Sequence, residues 1–442
     1  MRFSPRLLGT LAGRFDHLKA PSETPAAQQD PAVAQRVSEM LGEIERDGHD
    51  AVLRYARELD GWDAPDVELS REAVRASGDA LTPEHRAALE LGAERTRRFA
   101  ELQRAGLSDA EVELAPGLTT GYRYVPVGSV GAYLPAGRFP LTAGAFMTVG
   151  VAKAAGVPTV IACLPPGKDG RADPAVVYSA HLSGVDRVFV LGGVQALAAM
   201  SFGLLGEEPV DMIVGAGNAF VAEAKRQLFG RVAIDLLAGP SEVAVIADET
   251  ADPELVAADL LGQAEHGVNS PAALVTTSRE LGEKVVEEAD KQLASLSTAE
   301  IASPAWRDYG SVTWAQDRET AVALMDDLAP EHLEIQTADD DYYHDALRNY
   351  GSIFLGTWST VAYSDKGMAG TNHVLPTAGG ARHSAGLSVS RFLKPLTYQR
   401  VSREATPLLA EAVETISDYE GMAAHKATAT LRLERLREGD AR

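Results

Sequence analysis

Early in the chain, apolar residues return at helical intervals. Val33, Val37, Met40, Leu41 and Ile44 share one face, and Pro31 stands just before the run, where a helix can begin. Residues 22 to about 112, rich in Ala, Glu, Arg and Leu, therefore read as a helical lead-in. From about residue 119 the period shortens. Val130–Leu134, Val157–Cys163, Arg187–Leu191, Asp211–Val214, Glu242–Ala247 and Ala272–Thr276 are short β-rich runs, with helical stretches between most of them. That alternation predicts βαβ units, parallel sheet and an α/β fold. After about residue 388 the pattern returns to helix, ending in a charged run, Leu431–Arg437, expected to be a solvated face.

Glycine punctuates several of the predicted strand-to-helix turns. Gly192 and Gly193 precede Val194 and Gln195, and Gly215-Ala216-Gly217-Asn218 precedes a helical stretch over Ala219–Phe229. Glycine there lets a backbone approach phosphate, and the helix that follows offers free N–H groups. Most such turns are only tight connections, and neither stretch is a complete GxGxxG. Both readings stay open on this feature alone.

Length and composition narrow the classes. At 442 residues with 45% hydrophobic content, the chain is expected to divide into two or more globular domains. A net charge of −22 argues against nucleic acid and anionic lipid as partners, since both are bound chiefly through Lys and Arg. No run of 18 apolar residues occurs, so no membrane span is expected, and the N-terminal stretch does not read as a signal peptide. The single cysteine, Cys163, cannot form an internal disulfide, which points to a reducing compartment and a cytoplasmic protein.

Four clusters carry ligand-type or catalytic side chains. Asp252 can cap a helix with Pro253 at its first position and Gly267 as a left-handed end; Gln263 and His266 then share a face. An amide oxygen beside an imidazole can ligate a metal, although such pairs are usually plain polar surface. Glu331 and His332 are adjacent, a carboxylate–imidazole pair suited to proton transfer; a helix start after Pro330 is the structural alternative. A glycine-rich loop brings Asp365, Asn372 and His373 close in sequence, and Glu420 lies five residues before His425 near the end.

Together with GPSEV at 239–243, the motifs QAEH at 263–266, PEHLE at 330–334, GTNHVLPT at 370–377 and AHK at 424–426 match the histidinol dehydrogenase family in content and order. The chain resembles that family from about residue 30 to about residue 435. The resemblance implies two incomplete Rossmann-like, aldehyde-dehydrogenase-like α/β domains with parallel sheets, plus small helical N- and C-terminal segments. Residues 22–132 and 241–387 would form the catalytic, zinc-bearing domain and 133–240 the NAD-binding one. Residues 1–21 would be an N-terminal segment, and 388–442 a helical segment exchanged in a homodimer with shared active sites.

Carried over position by position, the resemblance assigns zinc to Gln263, His266, Asp365 and His425, a mixed O/N set. Glu331 and His332 would be catalytic, Ser241, His373 and Glu420 would contact substrate, and Tyr133, Gln195 and Asn218 would contact NAD. The activity implied is NAD-linked oxidation of a small primary alcohol through the aldehyde to the carboxylate. Cys163 ends an apolar strand and is expected to be inert packing, which sets aside a thiol-acyl mechanism.

One departure bears on the metal. The family usually reads GDYASGTNH where this chain reads SDKGMAGTNH, so an ungapped count puts Lys366 at the ligand position; a one-residue insertion keeps Asp365 there. That loop, with segments 137–147, 262–271, 350–356 and 392–399, is similar to a side branch. The branch includes enzymes resembling sulfopropanediol 3-dehydrogenase, which oxidise 2,3-dihydroxypropane-1-sulfonate to sulfolactate. A sulfonate wants Arg or Lys, and Arg138, Lys366 and Arg382 are the residues to examine. Histidinol oxidation in histidine biosynthesis is the alternative, and an inactive ligand-binding homologue is the reading from another class.

Overall fold

All five residues of Val243–Ala247 are buried, as a parallel strand covered on both faces requires. The computed structural model describes residues 1, 3–22, 30–63, 66–136, 139–167, 169–206 and 208–440. Among these, strands form two six-stranded sheets and one three-stranded sheet.

The first large sheet is built from β1 (Phe15–Lys19), β10 (Val243–Ala247), β11 (Ala272–Thr276), β12 (Ser311–Ala315), β13 (His332–Gln336) and β14 (Ser352–Leu355), in the order β1-β12-β11-β10-β13-β14. All neighbours are parallel except β1, which runs antiparallel at the edge. The second is built from β2 (Glu68–Leu69), β5 (Ser129–Tyr133), β6 (Thr159–Leu164), β7 (Arg187–Val190), β8 (Met212–Val214) and β9 (Ala233–Ile234), in the order β2-β7-β6-β5-β8-β9. Here too one short antiparallel strand, β2, sits at the edge. The two sheets thus share a topology: the third, second, first, fourth and fifth parallel strands in order, with an extra strand beside the third. It is the dinucleotide-binding arrangement, used twice.

Each predicted strand is present with ends shifted by no more than two residues, because parallel strands buried on both faces read as continuous apolar runs. The helices that matter to the site are α1 (Pro31–Asp47), α2 (His49–Asp60), α3 (Gly193–Phe202), α4 (Ala219–Leu228), α5 (Pro253–Ala264) and α6 (Val361–Asp365). Helix α1 is capped by Asp30 with Pro31 at its start, and its expected apolar face is buried at Val37, Met40, Leu41 and Ile44.

That face packs with Tyr55 of α2 against Ile161, Cys163 and Leu197 of the second sheet and its helices. The division expected from sequence grouped 22–132 with the catalytic domain; these helices and β5 instead belong to the second sheet's core. Three local expectations also need correction. His332–Gln336 is a strand, not a helix start. Helix α5 ends at Ala264, two residues before His266, and Gly267 is not left-handed. The chain after residue 388 makes one 3-10 turn and a strand, Leu393–Val401, before the expected helices begin at Thr406.

Residues 104–126 and 393–442 form a separate compact unit. Within it, β15 (Leu393–Val401) pairs antiparallel along the whole of β4 (Leu118–Pro126), which pairs with β3 (Ala110–Ala115). The partner strand, not local periodicity, makes β15 a strand: most of its residues are exposed. A helical hairpin, α7 (Thr406–Glu420) and α8 (Ala423–Asp440), turns at left-handed Gly421.

The turn after β8 is clamped by a buried ion pair. Lys225 and Asp235 are in direct contact at 3% and 0% side-chain exposure. Lys225 Nζ donates to the Gly215 carbonyl at 3.0 Å, and Asp235 Oδ2 accepts from the Gly215 N–H at 2.8 Å. Gly215 has φ +115°, and a Cβ there would run into the Tyr133 carbonyl oxygen. Lys225→Met should therefore leave Asp235 buried and uncompensated, costing about 3–5 kcal/mol. Lys291→Met, which breaks an exposed pair with Glu288, should cost less than about 1 kcal/mol. Urea melts of the two variants check this, and equal losses would refute the clamp.

Candidate active site

The starts of β10 and β13 lie side by side, with Val243 opposite His332. Just before them, Glu242 and Glu331 cross. Glu331 Oε2 accepts from the Glu242 N–H at 2.8 Å, while Glu242 Oε1 accepts from the Glu331 N–H at 3.3 Å and the Ala378 N–H at 3.1 Å. Both residues are about 95% buried or more. Burial first, and then the neighbouring Glu331 charge, push the Glu242 carboxyl up to about 7, against the pull of the two N–H groups.

His332 follows Glu331 on the strand. Its Nδ1 lies 3.0 Å from the Glu242 carbonyl and 3.3 Å from Glu331 Oε2, which fixes the hydrogen on Nδ1 and leaves Nε2 as the outward atom. Nε2 is buried with no hydrogen-bond partner among the described residues. Burial alone would lower the imidazole, but Glu331 and then Asp365 outweigh it and hold it up at about 9.

Asp365 is the last residue of α6, a short helix tied to β13 by the Val361 N–H donating to Glu334 Oε1 at 2.9 Å. Three imidazoles surround its carboxylate. His266 Nε2 is 3.6 Å from Oδ2, while His332 Nε2 and His373 Nδ1 are each 3.8 Å from Oδ1. Burial lowers His373, with Asp365 partly opposing. Asp365 therefore faces the histidines, and Lys366 lines the adjoining cavity instead. Gln263, buried in the last turn of α5, donates to Ser241 Oγ, which donates to Glu331 Oε2 at 2.7 Å. Three predicted residues are thereby joined in one chain of hydrogen bonds.

A cavity of about 1060 Å³ opens beside this cluster, between the C-terminal edge of the second sheet and the N-terminal edge of the first. Tyr133, Gln195, Asn218, Ser241 and His266, all singled out from sequence, line it. Asn218 caps α4, accepting from the Phe220 and Val221 N–H groups at 3.0 and 3.2 Å. Tyr133 Oη accepts from the Gly193 N–H at 3.1 Å, and burial pushes its phenol up to about 12. The cavity slightly exceeds the usual range of roughly 300–1,000 Å³, as a dinucleotide plus substrate demands.

Asn372 and Arg382 are held by backbone carbonyls instead. Asn372 braces its loop, donating to the Met147 carbonyl at 2.9 Å and accepting from Val374 N–H at 2.8 Å. Arg382 donates to the Asp327 carbonyl and does not line the cavity. Arg138 lies outside the described residues. Glu420 and His425 belong to the other unit, where both are exposed on the helical hairpin. Cys163 is fully buried and its thiol is raised by burial alone, as expected of packing.

Two residues with roles at the site were not singled out. Glu242 stood inside the GPSEV motif without an assigned role, and only its pairing across to β13 reveals one. Asp60 carried no local signal at all: it ends α2 and reaches Gly192, 132 residues away, with its carboxylate.

Among the described residues, no three His, Cys, Asp or Glu side chains are spaced to clasp one ion by themselves. The donor set nevertheless fits one that also draws on an amide. A carboxylate ringed by imidazole nitrogens, an orphaned buried His332 Nε2 and the adjacent Gln263 make a mixed O/N environment suited to a borderline divalent cation.

Taken together, a doubled dinucleotide-binding topology and an acid–imidazole cluster beside one large cavity define an NAD-dependent oxidoreductase. The chain belongs to the histidinol dehydrogenase family, whose family model matches residues 23–433. It is 46% identical to a histidinol dehydrogenase homolog of Shouchella clausii over 94% of this chain and 97% of that one. It is 45% identical to sulfopropanediol 3-dehydrogenase of Ruegeria pomeroyi over 91% of this chain and 92% of that one. The crystal structure of histidinol dehydrogenase from Elizabethkingia anophelis superposes with a TM-score of 0.88 at 33% identity, covering 94% of this chain and 95% of that one. Among the described residues, no helix is long and apolar enough to cross a membrane.

The raised Glu242 carboxyl makes a testable statement about stability. With its ordinary value of 4.5 in the unfolded chain and about 7 in the fold, the proton is held more tightly when folded. Its contribution is therefore complete below about pH 4.5 and is lost as pH rises to about 7. Glu242→Gln removes that loss, so its stability relative to the parent should improve by about 3 kcal/mol between pH 5 and pH 8. Urea titrations at both pH values check this, and a pH-independent difference would overturn it.

Proposed function

We propose that this chain catalyses zinc-dependent, NAD-linked oxidation of a small polar primary alcohol, through the aldehyde to the carboxylate. The observation that carries the reading is the approach of His332 Nε2 and the Asp365 carboxylate, backed by Glu331, beside a cavity with dinucleotide-type turns that Ser241 and His266 line. Gln263, His266 and Asp365 would hold the zinc with His425, which the exposed hairpin would supply to a second copy in a homodimer. When bound, zinc would supply Lewis acidity toward the alcohol's hydroxyl, and NAD would supply the hydride acceptor for each two-electron oxidation.

The chain's own groups do the rest. A cation held at Asp365 would offset one of the carboxylates that raise the His332 imidazole, and Nε2, once unprotonated, is the atom positioned to take the hydroxyl proton, since its other nitrogen is committed to the Glu242 carbonyl. Glu331 sits against the same imidazole, and its carboxylate, with His332, would accept protons from the water that adds to the aldehyde. Ser241, held between Gln263 and Glu331, would fix the substrate's polar end with His373 and Glu420. Tyr133, Gln195 and Asn218 would seat NAD against the second sheet.

Histidinol is the substrate better supported by the comparisons, on the structural match over nearly the whole chain. A sulfonated diol is the second reading, favoured by one observation: Lys366, an exposed cation, is among the residues that line the cavity, as is His266. An assay with histidinol and with dihydroxypropanesulfonate separates them. Two NADH per alcohol are expected, with activity lost to a chelator. Lys366→Ala should raise KM about tenfold or more for the sulfonate and leave histidinol unaffected. His332→Asn should lower kcat by about 10²–10⁴ on either substrate. No turnover of any alcohol by zinc-loaded protein would favour a binding role.

A further inference from the structure

A dinucleotide fold conventionally reads the adenine ribose with an acidic side chain at the end of its second strand. In the second sheet that strand is β6, and it runs out into Leu164, Pro165, Pro166 and Gly167, with no acid at the edge. Asp169 beyond them is turned onto the Arg171 N–H at 3.1 Å. The place is filled from elsewhere. Asp60, the last residue of α2, is held there by left-handed Gly61, φ +66°. A Cβ built on Gly192 would meet Asp60 Oδ1 at 2.5 Å and Pro165 Cβ at 3.0 Å, so the carboxylate lies at the ends of both β6 and β7.

Its two oxygens are differently engaged. Oδ2 accepts from the Gly192 N–H at 2.8 Å and from Gln195 Nε2 at 2.9 Å, while no hydrogen bond reaches Oδ1 among the described residues. Gln195 is 1% exposed, and its Oε1 is buried with no hydrogen-bond partner among the described residues. Both side chains line the cavity. Gln195 Nε2 thus holds Oδ2, and Oδ1 is left as an ionic acceptor at the cavity, which calls for a ligand that brings hydroxyl donors. A vicinal diol does so. A phosphate ester on one of those hydroxyls replaces a donor with acceptor oxygens and sets its charge against the carboxylate. Arg36, which also lines the cavity, lies 3.8 Å from Glu39 and over the Tyr55 ring, at 5.7 Å.

We propose that Asp60, with Gln195, reads the unsubstituted ribose diol and makes this enzyme select NAD over NADP. The proposal rests on the NAD-seating role given above to Gln195. The parent should use NAD at least 100-fold better than NADP by kcat/KM. Asp60→Asn keeps the side chain's shape and should shrink that ratio at least tenfold, mainly through KM for NAD; Asp60→Ala should shrink it further. A ratio is insensitive to general loss of folded protein, which a merely bracing role for Asp60 would cause. Calorimetric titration with ADP-ribose and 2′-phospho-ADP-ribose gives a readout apart from turnover. Binding of ADP-ribose by the parent with an unchanged preference in Asp60→Asn overturns the role of Asp60 alone. Failure of the parent to bind either compound overturns the placement of the cofactor, and this inference with it.

Discussion

Two carboxylates that each accept the other's backbone N–H fix the starts of β10 and β13, and the chemistry depends on that crossing. If Glu242 and Glu331 slipped by one residue, every side chain on one strand would change face and His332 would leave Asp365. The crossing also sets the imidazole, because the Glu242 carbonyl and the Glu331 carboxylate both lie beside Nδ1. Burying two like charges side by side is unfavourable, and the displaced titration of Glu242 is its trace. Such a pair persists where geometry at a site outweighs the cost to stability.

Distance from the site is no measure of relevance to it. Helices α1 and α2 come early in the chain and were grouped from sequence with the catalytic half, yet they complete the core of the second sheet. Through Asp60, they also shape the turn after β7. The buried Lys225–Asp235 pair does the same for the turn after β8. Both turns are held by charged side chains, so glycine at each can serve close approach while the carboxylates supply rigidity.

The parallel strands were legible because double burial leaves apolar runs with sharp ends, as in Val243–Ala247 and Ala272–Thr276. The clustering of Gln263, Ser241, Glu331, His332 and Asp365 was legible through long motifs, and at the altered loop it is Asp365, not Lys366, that lies among the imidazoles. What stayed hidden depends on pairing at long range. Strand β15 has mostly exposed residues and becomes a strand through β4. Gly267 resembles a helix cap, but α5 has already ended. Asp60 looks like any acid at a helix end until Gly192 arrives beside it.

The shared topology of the two sheets has an electrostatic consequence. Because the cavity touches the C-terminal edge of one sheet and the N-terminal edge of the other, the helices around it present opposite poles. On the second sheet's side, α3 and α4 begin at the cavity, near Gly193 and Asn218, and their positive ends favour pyrophosphate. On the first sheet's side, α5 finishes there, just before His266, and its negative end favours a cation. A duplicated fold meeting itself in opposite senses thus yields one chamber with one wall that favours negative charge and another that favours positive charge, before any side chain is chosen.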